Sequence, residues 1–216
     1  MGPQDILVEN GGSLLVENWG CVGNLGEPNI VAESIERDGK LYIEGTFMQA
    51  EVINGNKRLY PKKVLQEAVA KYIKEQVNTK QALGELNHPA RANVDPLHAA
   101  IIIEKLEMRG NDVWGRARII EGDFAEGDKT AALIRAGWIP GVSSRGLGSV
   151  KANAYGINEV QEGFRLTVGV DVVWGPSAPN AYVKPVVESV SVQPEEKKID
   201  NNTSFLALAE ALKNLN

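Results

Sequence analysis

Apolar and polar residues alternate over several short stretches in the middle of the chain. A period of two is typical of a β-strand with one buried face. Six segments are predicted as strands, the first on this alternation and the last on its β-branched residues: 40–47, 81–86, 99–108, 113–120, 140–150 and 164–174. The third and fourth are separated by Gly110-Asn111-Asp112, a turn sequence, so they are predicted to form a hairpin.

Other segments repeat their apolar residues every three or four positions, as an amphipathic helix does. One such stripe follows Pro61, whose missing N–H is tolerated in the first turn of a helix: Val64, Leu65, Ala68, Val69, Tyr72 and Ile73. A second helix is predicted from an Asp128 cap to Arg135, with Gly137 as the stop. A third, short helix is predicted at 205–215. The predicted fold class is therefore α+β, mostly β.

The two ends of the chain differ from its middle. Glycines at 11, 12, 20, 23 and 26 interrupt every apolar cluster near the start, so residues 1–36 are predicted to form a flexible, extended arm. After residue 187 the composition shifts to Glu, Lys, Gln and Asn, which is typical of a linker. We therefore predict one domain at 37–187 and a C-terminal linker with an amphipathic helix at 188–216.

Composition and charge exclude several functional classes. The net charge of -5 and the scattered basic residues argue against a nucleic-acid partner. No apolar run is long enough to cross a membrane. Cys21 is the single cysteine, which rules out an internal disulfide framework. Gly146 and Gly148 are not followed by the Lys-Ser/Thr of a phosphate-binding loop, and no cofactor is expected.

Two candidates for acid–base and nucleophilic chemistry stand in loop-like or glycine-rich surroundings. His88 ends a predicted strand, and Pro89 restricts it to an extended backbone. Ser143 lies between glycines that would let a substrate carbonyl approach closely, as a serine nucleophile requires. Taken singly, His88 also fits a turn histidine bonded to a carbonyl, and Ser143 a polar edge strand.

A third candidate is acidic. Asp171 lies among β-branched residues of the predicted strand 164–174. An unpaired buried carboxylate is costly, so it needs a partner, and a histidine N–H is a natural one. The alternative is an aspartate on the solvated face of the strand.

Metal binding is a rival interpretation of the same region. His88, Asp95 and His98 carry nitrogen and oxygen ligands. Their spacing matches no established metal motif, and Pro89 and Pro96 prevent one continuous helix from presenting them. No metal site is therefore predicted.

Five segments, in a fixed order along the chain, carry a resemblance to a known family. They are 45–51, 56–61, 84–89, 141–146 and 170–177. With His88, Ser143 and Asp171 among them, the chain resembles the prohead core proteases of T-even-type bacteriophages over about residues 40–185.

That family is in turn similar to the herpesvirus assemblins, whose catalytic histidine follows an asparagine and whose serine lies in a Gly-Leu-Ser segment. Asn87-His88 and Gly141-Val142-Ser143 stand in those places. The third assemblin residue is a second histidine on a later strand. This chain has no histidine after His98, so Asp171 is expected to take that role. The resemblance implies an assemblin-like β-barrel surrounded by helices.

The resemblance also implies an activity: a serine endopeptidase that processes scaffold (core) proteins and the major capsid protein inside the prohead, which is assembled in the host cytoplasm. Cleavage is expected after glutamate, with Leu or Ile two residues earlier. Backbone N–H groups around Ser144, Arg145 and Gly146 are expected to bind the oxyanion. The side chain of Arg145 or of Arg91 is expected to pair with the substrate glutamate.

The same preference predicts that the enzyme trims its own arms. Accessible Leu-x-Glu sequences end at Glu9, Glu17 and Glu210, all outside the predicted domain. A rival from another class is a non-enzymatic scaffold or capsid-lining module with the same fold. The sequence leaves the formation of a homo-oligomer open.

Overall fold

The structure, a computed structural model, describes residues 7–8, 12–18, 30–37, 39–174 and 182–186. The strands in these ranges are β1 (Leu7–Val8), β2 (Gly12–Asn18), β3 (Ile30–Arg37), β4 (Lys40–Gln49), β5 (Arg58–Leu59), β6 (Leu83–Glu85), β7 (Ala99–Arg109), β8 (Asp112–Ile119), β9 (Gly141–Gly148), β10 (Val150–Ala152), β11 (Asn158–Val160), β12 (Arg165–Val173) and β13 (Tyr182–Val186). The α-helices are α1 (Lys62–Tyr72) and α2 (Glu126–Arg135), and short π and 3-10 turns span Ile73–Val77 and Pro96–His98. No helix in the described ranges is long and apolar enough to cross a membrane.

One large sheet organises the described residues. Its strand order is β1-β2-β9-β13-β3-β4-β8-β7-β6, and β12 also pairs with β9. A small separate sheet has the order β10-β11-β5. The described strands therefore make a mostly β fold, as predicted.

No closed barrel is found among these strands. Strand β6, at one end of the sheet order, approaches β12 through a single bridge between Leu86 and Val172. One bridge brings the two parts of the sheet together without a continuous ladder. The expected assemblin-like barrel therefore stays a prediction.

The predicted strands in the middle of the chain match the structure to within a few residues, because each has a core to face. In β8, for example, intermediate and buried side chains alternate strictly from Asp112 to Ile119. Its hairpin partner β7 buries Ile101 and Ile103 completely or almost so. In the turn between them, Gly110 has φ +67 degrees, a left-handed conformation that glycine adopts without steric cost.

Helix α1 confirms the predicted apolar stripe. Pro61 precedes its first residue, and Val64, Leu65, Ala68, Val69 and Tyr72 are all buried. Helix α2 begins earlier than predicted, at Glu126. Its first N–H groups are bound by the side chain of Asp123, which accepts from Gly127 and Asp128, whereas the Asp128 carboxylate accepts from Gly122 and Phe124 in the preceding loop. The predicted Asp128 cap is therefore wrong.

The structure also differs from the predicted flexible arm at 1–36. Residues Gly12–Asn18 pair with β9, and Ile30–Arg37 pair with β4 and β13. Gly12 begins β2, whose partner β9 lies far along the chain, whereas β3 pairs with the adjacent β4 as well as with the distant β13. The predicted helix at 205–215 and the rest of 188–216 lie outside the described residues.

Candidate active site

Ser143 and Asp171 are brought together by the pairing of two strands. Strands β9 and β12 are antiparallel, and their register places Asp171 directly opposite Ser143. Directly opposed residues of an antiparallel pair project from the same face of the sheet, with Cβ atoms about 5 Å apart. Both residues are 0% exposed, so a hydroxyl and a carboxylate share one buried place.

His88 reaches this place from the end of β6. The amide of Asn87 donates to the carbonyl of Val172 at 2.7 Å, which ties the loop to β12 one residue from Asp171. Asn87 has φ +75 degrees, a left-handed conformation that asparagine adopts more readily than most residues. This turn, followed by the restriction that Pro89 imposes, directs His88 towards β9 and β12.

The three side chains form one hydrogen-bonded chain. Nδ1 of His88 lies 2.9 Å from Oδ2 of Asp171, and Nε2 is in hydrogen-bond contact with Oγ of Ser143. With the proton on Nδ1, His88 donates to Asp171 and accepts from the Ser143 hydroxyl. This is the arrangement in which an imidazole can take the proton of a serine nucleophile.

Arg145, two residues after Ser143, lies behind the carboxylate. Its Nε and Nη2 donate to Oδ2 and Oδ1 of Asp171 at 2.7 and 2.9 Å, a two-pronged contact. The Arg145 side chain is 0% exposed. The structure therefore corrects the expectation that its charge faces the substrate: the guanidinium lies inside the protein.

Glu85 completes a buried charge cluster. Its backbone N–H donates to Oδ1 of Asp171 at 2.8 Å, and its Oε2 accepts from Nη2 of Arg145 at 2.9 Å. Its Oε1 accepts from the side chain of Arg91 and, at 2.7 Å, from the backbone N–H of Asp95. Two carboxylates are thus paired with two guanidinium groups, and this pairing offsets the free-energy cost of removing the carboxylates from water.

Tyr72 of α1 also lies near this cluster and is not a second base. Burial, with a smaller contribution from the negative charge of Asp171, raises the pKa of Tyr72 to about 12. The phenol therefore stays protonated at neutral pH.

The remaining expected site residues differ in their surroundings. Ser144 is 2% exposed. Gly146 packs under the Phe164 ring, since a Cβ there would lie 2.4 Å from Cε2 of Phe164. Arg91 has a side chain that is 40% exposed, and its Nε is a buried donor with no hydrogen-bond partner among the described residues. Of the two arginines considered for substrate glutamate, only Arg91 reaches the surface.

The outer edge of β9 is covered by β2. The antiparallel register places Glu17 opposite Ser144 and Asn18 opposite Ser143. The peptide bond after Glu17 therefore runs alongside the serine. Glu9 and Glu210, the two other expected cleavage positions, lie outside the described residues.

The structure does not gather the residues of the metal interpretation. His88 bonds to Asp171, the Asp95 carboxylate accepts from the Leu97 N–H, and His98 lies 2.7 Å from Glu126. The hydrogen bond to Glu126 raises the pKa of His98. Among the described residues, no group of three or more His, Cys, Asp or Glu side chains could hold a metal ion.

Glu85 was missed by sequence reasoning. The signal was present: an acidic residue inside a short predicted strand, directly before Leu86 and three positions before His88. By the argument applied to Asp171, a carboxylate in such a strand needs a buried partner, and the structure supplies Arg145 from its glycine-rich strand. Their pairing depends on β12 lying between β6 and β9, which local sequence does not indicate.

Comparisons with known proteins identify the family of this chain. The family described as "Prohead core protein serine protease" matches residues 14–191. The prohead core protein protease of Enterobacteria phage T4 is 60% identical over 207 residues, which cover 93% of this chain and 96% of that protein. A solved structure, of the bacteriophage T4 capsid assembly protease, superposes with a TM-score of 0.69 at 60% identity and covers 77% of this chain and 100% of its own. A chain matched over this length belongs to the prohead core protein serine protease family.

Proposed function

We propose that the chain is a serine endopeptidase in which Ser143, His88 and Asp171 act as a catalytic triad. Ser143 Oγ attacks the scissile carbonyl while His88 Nε2 accepts the hydroxyl proton. His88 then gives that proton to the leaving amine, and an acyl-enzyme remains on Ser143 until water hydrolyses it. The observation that carries this proposal is the contact of both His88 ring nitrogens, one with Asp171 at 2.9 Å and the other with Ser143.

Backbone N–H groups of Ser144, Arg145 and Gly146 are proposed to bind the oxyanion. N–H groups along a strand point alternately to its two sides, so some face β12 and others face β2. Those on the β2 side would become free for a substrate once β2 leaves. The complete burial of Ser143 fits a precursor that requires such a step.

The proposed substrates are the scaffold (core) proteins and the major capsid protein, cut in the prohead within the host cytoplasm. Cleavage after glutamate, with Leu or Ile two residues earlier, is an expectation from the family resemblance. Arg91 supports it, because its guanidinium is partly exposed and a carboxylate entering the site needs a cation. Arg91 already pairs with Glu85, so it would bind the carboxylates of Glu85 and of the substrate glutamate at the same time.

Self-trimming is proposed after Glu17, Glu9 and Glu210, with removal of the C-terminal 188–216 segment. The register of β2 supports Glu17 in particular. An extended segment added antiparallel to a sheet edge is a common way for a peptide to bind a protein. Here such a segment carries Leu15-Val16-Glu17 and lies beside the proposed nucleophile.

Intact-mass measurement tests the proposal directly. Purified wild type should shorten on incubation, with new ends after Glu17, Glu9 or Glu210, and should cleave a peptide containing Leu-x-Glu. Ser143→Ala should stay at full length and leave the peptide intact. Ser149→Ala, an exposed serine just beyond β9, should behave as wild type.

Two outcomes would contradict the proposal. If Ser143→Ala were trimmed like the wild type, the cleavage would come from another protease. If neither protein changed and no peptide were cut under any assembly condition, a non-enzymatic scaffold or capsid-lining role would replace the enzyme.

A further inference from the structure

Arg145 makes five hydrogen bonds, more than a structural ion pair needs. Two go to Asp171, one goes to Oε2 of Glu85, and Nη1 donates to the backbone carbonyls of Arg91 at 2.9 Å and Asn93 at 3.2 Å. The last two belong to the loop that begins with His88. One buried side chain thus contacts both the carboxylate and the loop that the triad requires.

We infer that Arg145 is a positioning residue that holds Asp171 and the His88 loop in a fixed relation to each other. The inference rests on the proposed roles of His88 and Asp171. The Arg145 guanidinium is buried, so Arg145 is not proposed as a substrate-binding group. It acts through the direction of the Asp171 carboxylate and the path of the loop.

Both oxygens of Asp171 are fully engaged in this arrangement. Oδ2 receives His88 Nδ1 and Arg145 Nε, and Oδ1 receives Arg145 Nη2 and the Glu85 backbone N–H. The two parallel bonds from the guanidinium keep the carboxylate from rotating about its Cβ–Cγ bond. The oxygen that faces His88 is therefore always the same one.

The loop is held from the same centre. Its carbonyls at 91 and 93 turn inward to Arg145, while Glu85 binds the N–H of Asp95 near the far end. Glu85 in turn binds Arg145. Loss of the guanidinium would therefore release the loop and the carboxylate together.

Charge adds a second reason for an arginine at this position. Glu85 and Asp171 are 1% and 0% exposed, so two anions stand close together without solvent. Lysine would keep the positive charge but has no planar fork to bind both carboxylates and two carbonyls at once. Arg145→Lys therefore keeps the positive charge and removes only the hydrogen-bonding geometry of the guanidinium.

A first experiment measures kcat and KM separately for cleavage of a Leu-x-Glu peptide by the trimmed enzyme. Arg145→Lys should lower kcat about 10²-fold, the loss that an error of about 1 Å in position can cause, and leave KM within about threefold. In Arg145→Ala, added guanidinium salt should restore part of kcat, and it should not do so in Ser143→Ala. Arg58→Lys, at a buried arginine of β5, should keep wild-type kcat.

A second experiment needs no activity, so it separates this inference from the proposed function. The chain has only two histidines, so Ser143→Ala/His98→Ala leaves His88 as the single one. With ¹⁵N-labelled histidine, this protein should show a slowly exchanging low-field proton on Nδ1, from the bond to Asp171. Adding Arg145→Lys should abolish or strongly shift that signal, and adding Arg58→Lys should not. Circular dichroism and the thermal midpoint establish that each variant is folded.

The inference is overturned if folded Arg145→Lys keeps both the Nδ1 signal and the wild-type kcat. It is also overturned if Arg58→Lys loses them equally, since the effect would then be general destabilisation. If Arg145→Ala and Arg145→Lys both fail to fold, Glu85→Gln still tests the inference, because it removes the second ionic partner of the guanidinium and should shift the same signal. If Ser143→Ala still cleaved the peptide while Arg145→Lys still changed the Nδ1 signal, the proposed enzyme mechanism would be rejected. The positioning of His88 and Asp171 by Arg145 would stand.

Discussion

Ser143 and Asp171 lie directly opposite each other on two antiparallel strands, and His88 reaches both from a neighbouring loop. Strand pairing therefore fixes two members of the candidate triad. A slip of one residue between β9 and β12 would turn one of the two side chains to the other face of the sheet. The chemistry thus depends on register as much as on residue type.

Asp171→Asn should preserve the fold of the site but remove the charge that orients His88. The amide can present its NH2 to the ring, which favours the wrong histidine tautomer. We therefore expect kcat to fall about 10⁴-fold, as it does for the corresponding Asp→Asn substitution in a serine protease triad. The measurement is steady-state cleavage of a Leu-x-Glu peptide by trimmed enzyme. Because Arg145 loses an ionic partner, the free energy of unfolding should also fall, by about 3 kcal/mol.

Asp112→Asn is the matched control for that substitution. Asp112 accepts a hydrogen bond from Gln49 at the β7–β8 hairpin, away from the triad strands. Its kcat should equal that of the wild type. Full activity in Asp171→Asn would show that Asp171 is a structural partner of Arg145 and no part of catalysis.

The sequence alone predicts residues whose chemistry is visible locally, and it fails where a partner lies far along the chain. His88 before a proline and Ser143 among glycines have recognisable neighbourhoods. The pairing of Arg145 with Glu85 and Asp171 has no such local signal, because the three side chains meet only when β6, β9 and β12 pack together.

Strand β2, near the start of the chain, illustrates the same limit. Gly12–Asn18 is short and flanked by glycine, which locally favours a loop. The edge of β9 supplies its hydrogen bonds, and Leu15 is 1% exposed in the core. A neighbouring strand can stabilise a segment whose own propensity for a strand is weak.

His98→Ala should keep at least a tenth of wild-type activity, a rough bound for a residue outside the proton-transfer path. Its side chain is 55% exposed and pairs with Glu126 at the start of α2. Activity assays with and without a chelator provide the measurement. If His98→Ala were as inactive as His88→Ala, and the chelator also inhibited the wild type, a metal mechanism would be indicated instead.

Arg91→Ala should reduce cleavage after glutamate far more than cleavage of a matched peptide with an apolar residue at that position. The reason is that a carboxylate entering the site needs a cation, and Arg91 is the partly exposed one. The ratio of kcat/KM for the two peptides should fall by at least about tenfold, or about 1.4 kcal/mol. If kcat/KM fell equally for both peptides, Arg91 would instead have a structural role, in which it binds Glu85 and stabilises the His88 loop.

Gly84→Ala should destabilise the protein through the backbone of the site. A Cβ at this position would lie 2.1 Å from the Val170 carbonyl oxygen, so β6 would have to move away from β12. Overpacking of this kind costs about 1–3 kcal/mol, measured by chemical denaturation. Gly148→Ala, whose Cβ would meet a Phe164 side-chain atom at 3.0 Å, should cost less.

Strand β2 should control access to Ser143. Leu15→Glu places a charge where the side chain is 1% exposed, so β2 should leave the edge of β9 while the rest of the sheet remains paired. A fluorophosphonate that labels nucleophilic serines should then react with Ser143 faster in this variant than in the untrimmed wild type. Leu97→Glu makes the same change at a leucine that is 82% exposed and should label at the wild-type rate.

Trimming should have the same effect as Leu15→Glu if β2 occupies the place of a substrate. The labelling rate of wild type should rise as intact mass shows loss of residues 1–17, and amide hydrogen exchange should accelerate at Ser144–Gly148. Untrimmed protein that labels as fast as Leu15→Glu would mean that β2 leaves β9 readily, and control of access would then lie elsewhere. A different result in Leu15→Glu would also contradict the idea. If its β9 amides exchanged fast but the fluorophosphonate still labelled it slowly, β2 would have left β9 without exposing Ser143.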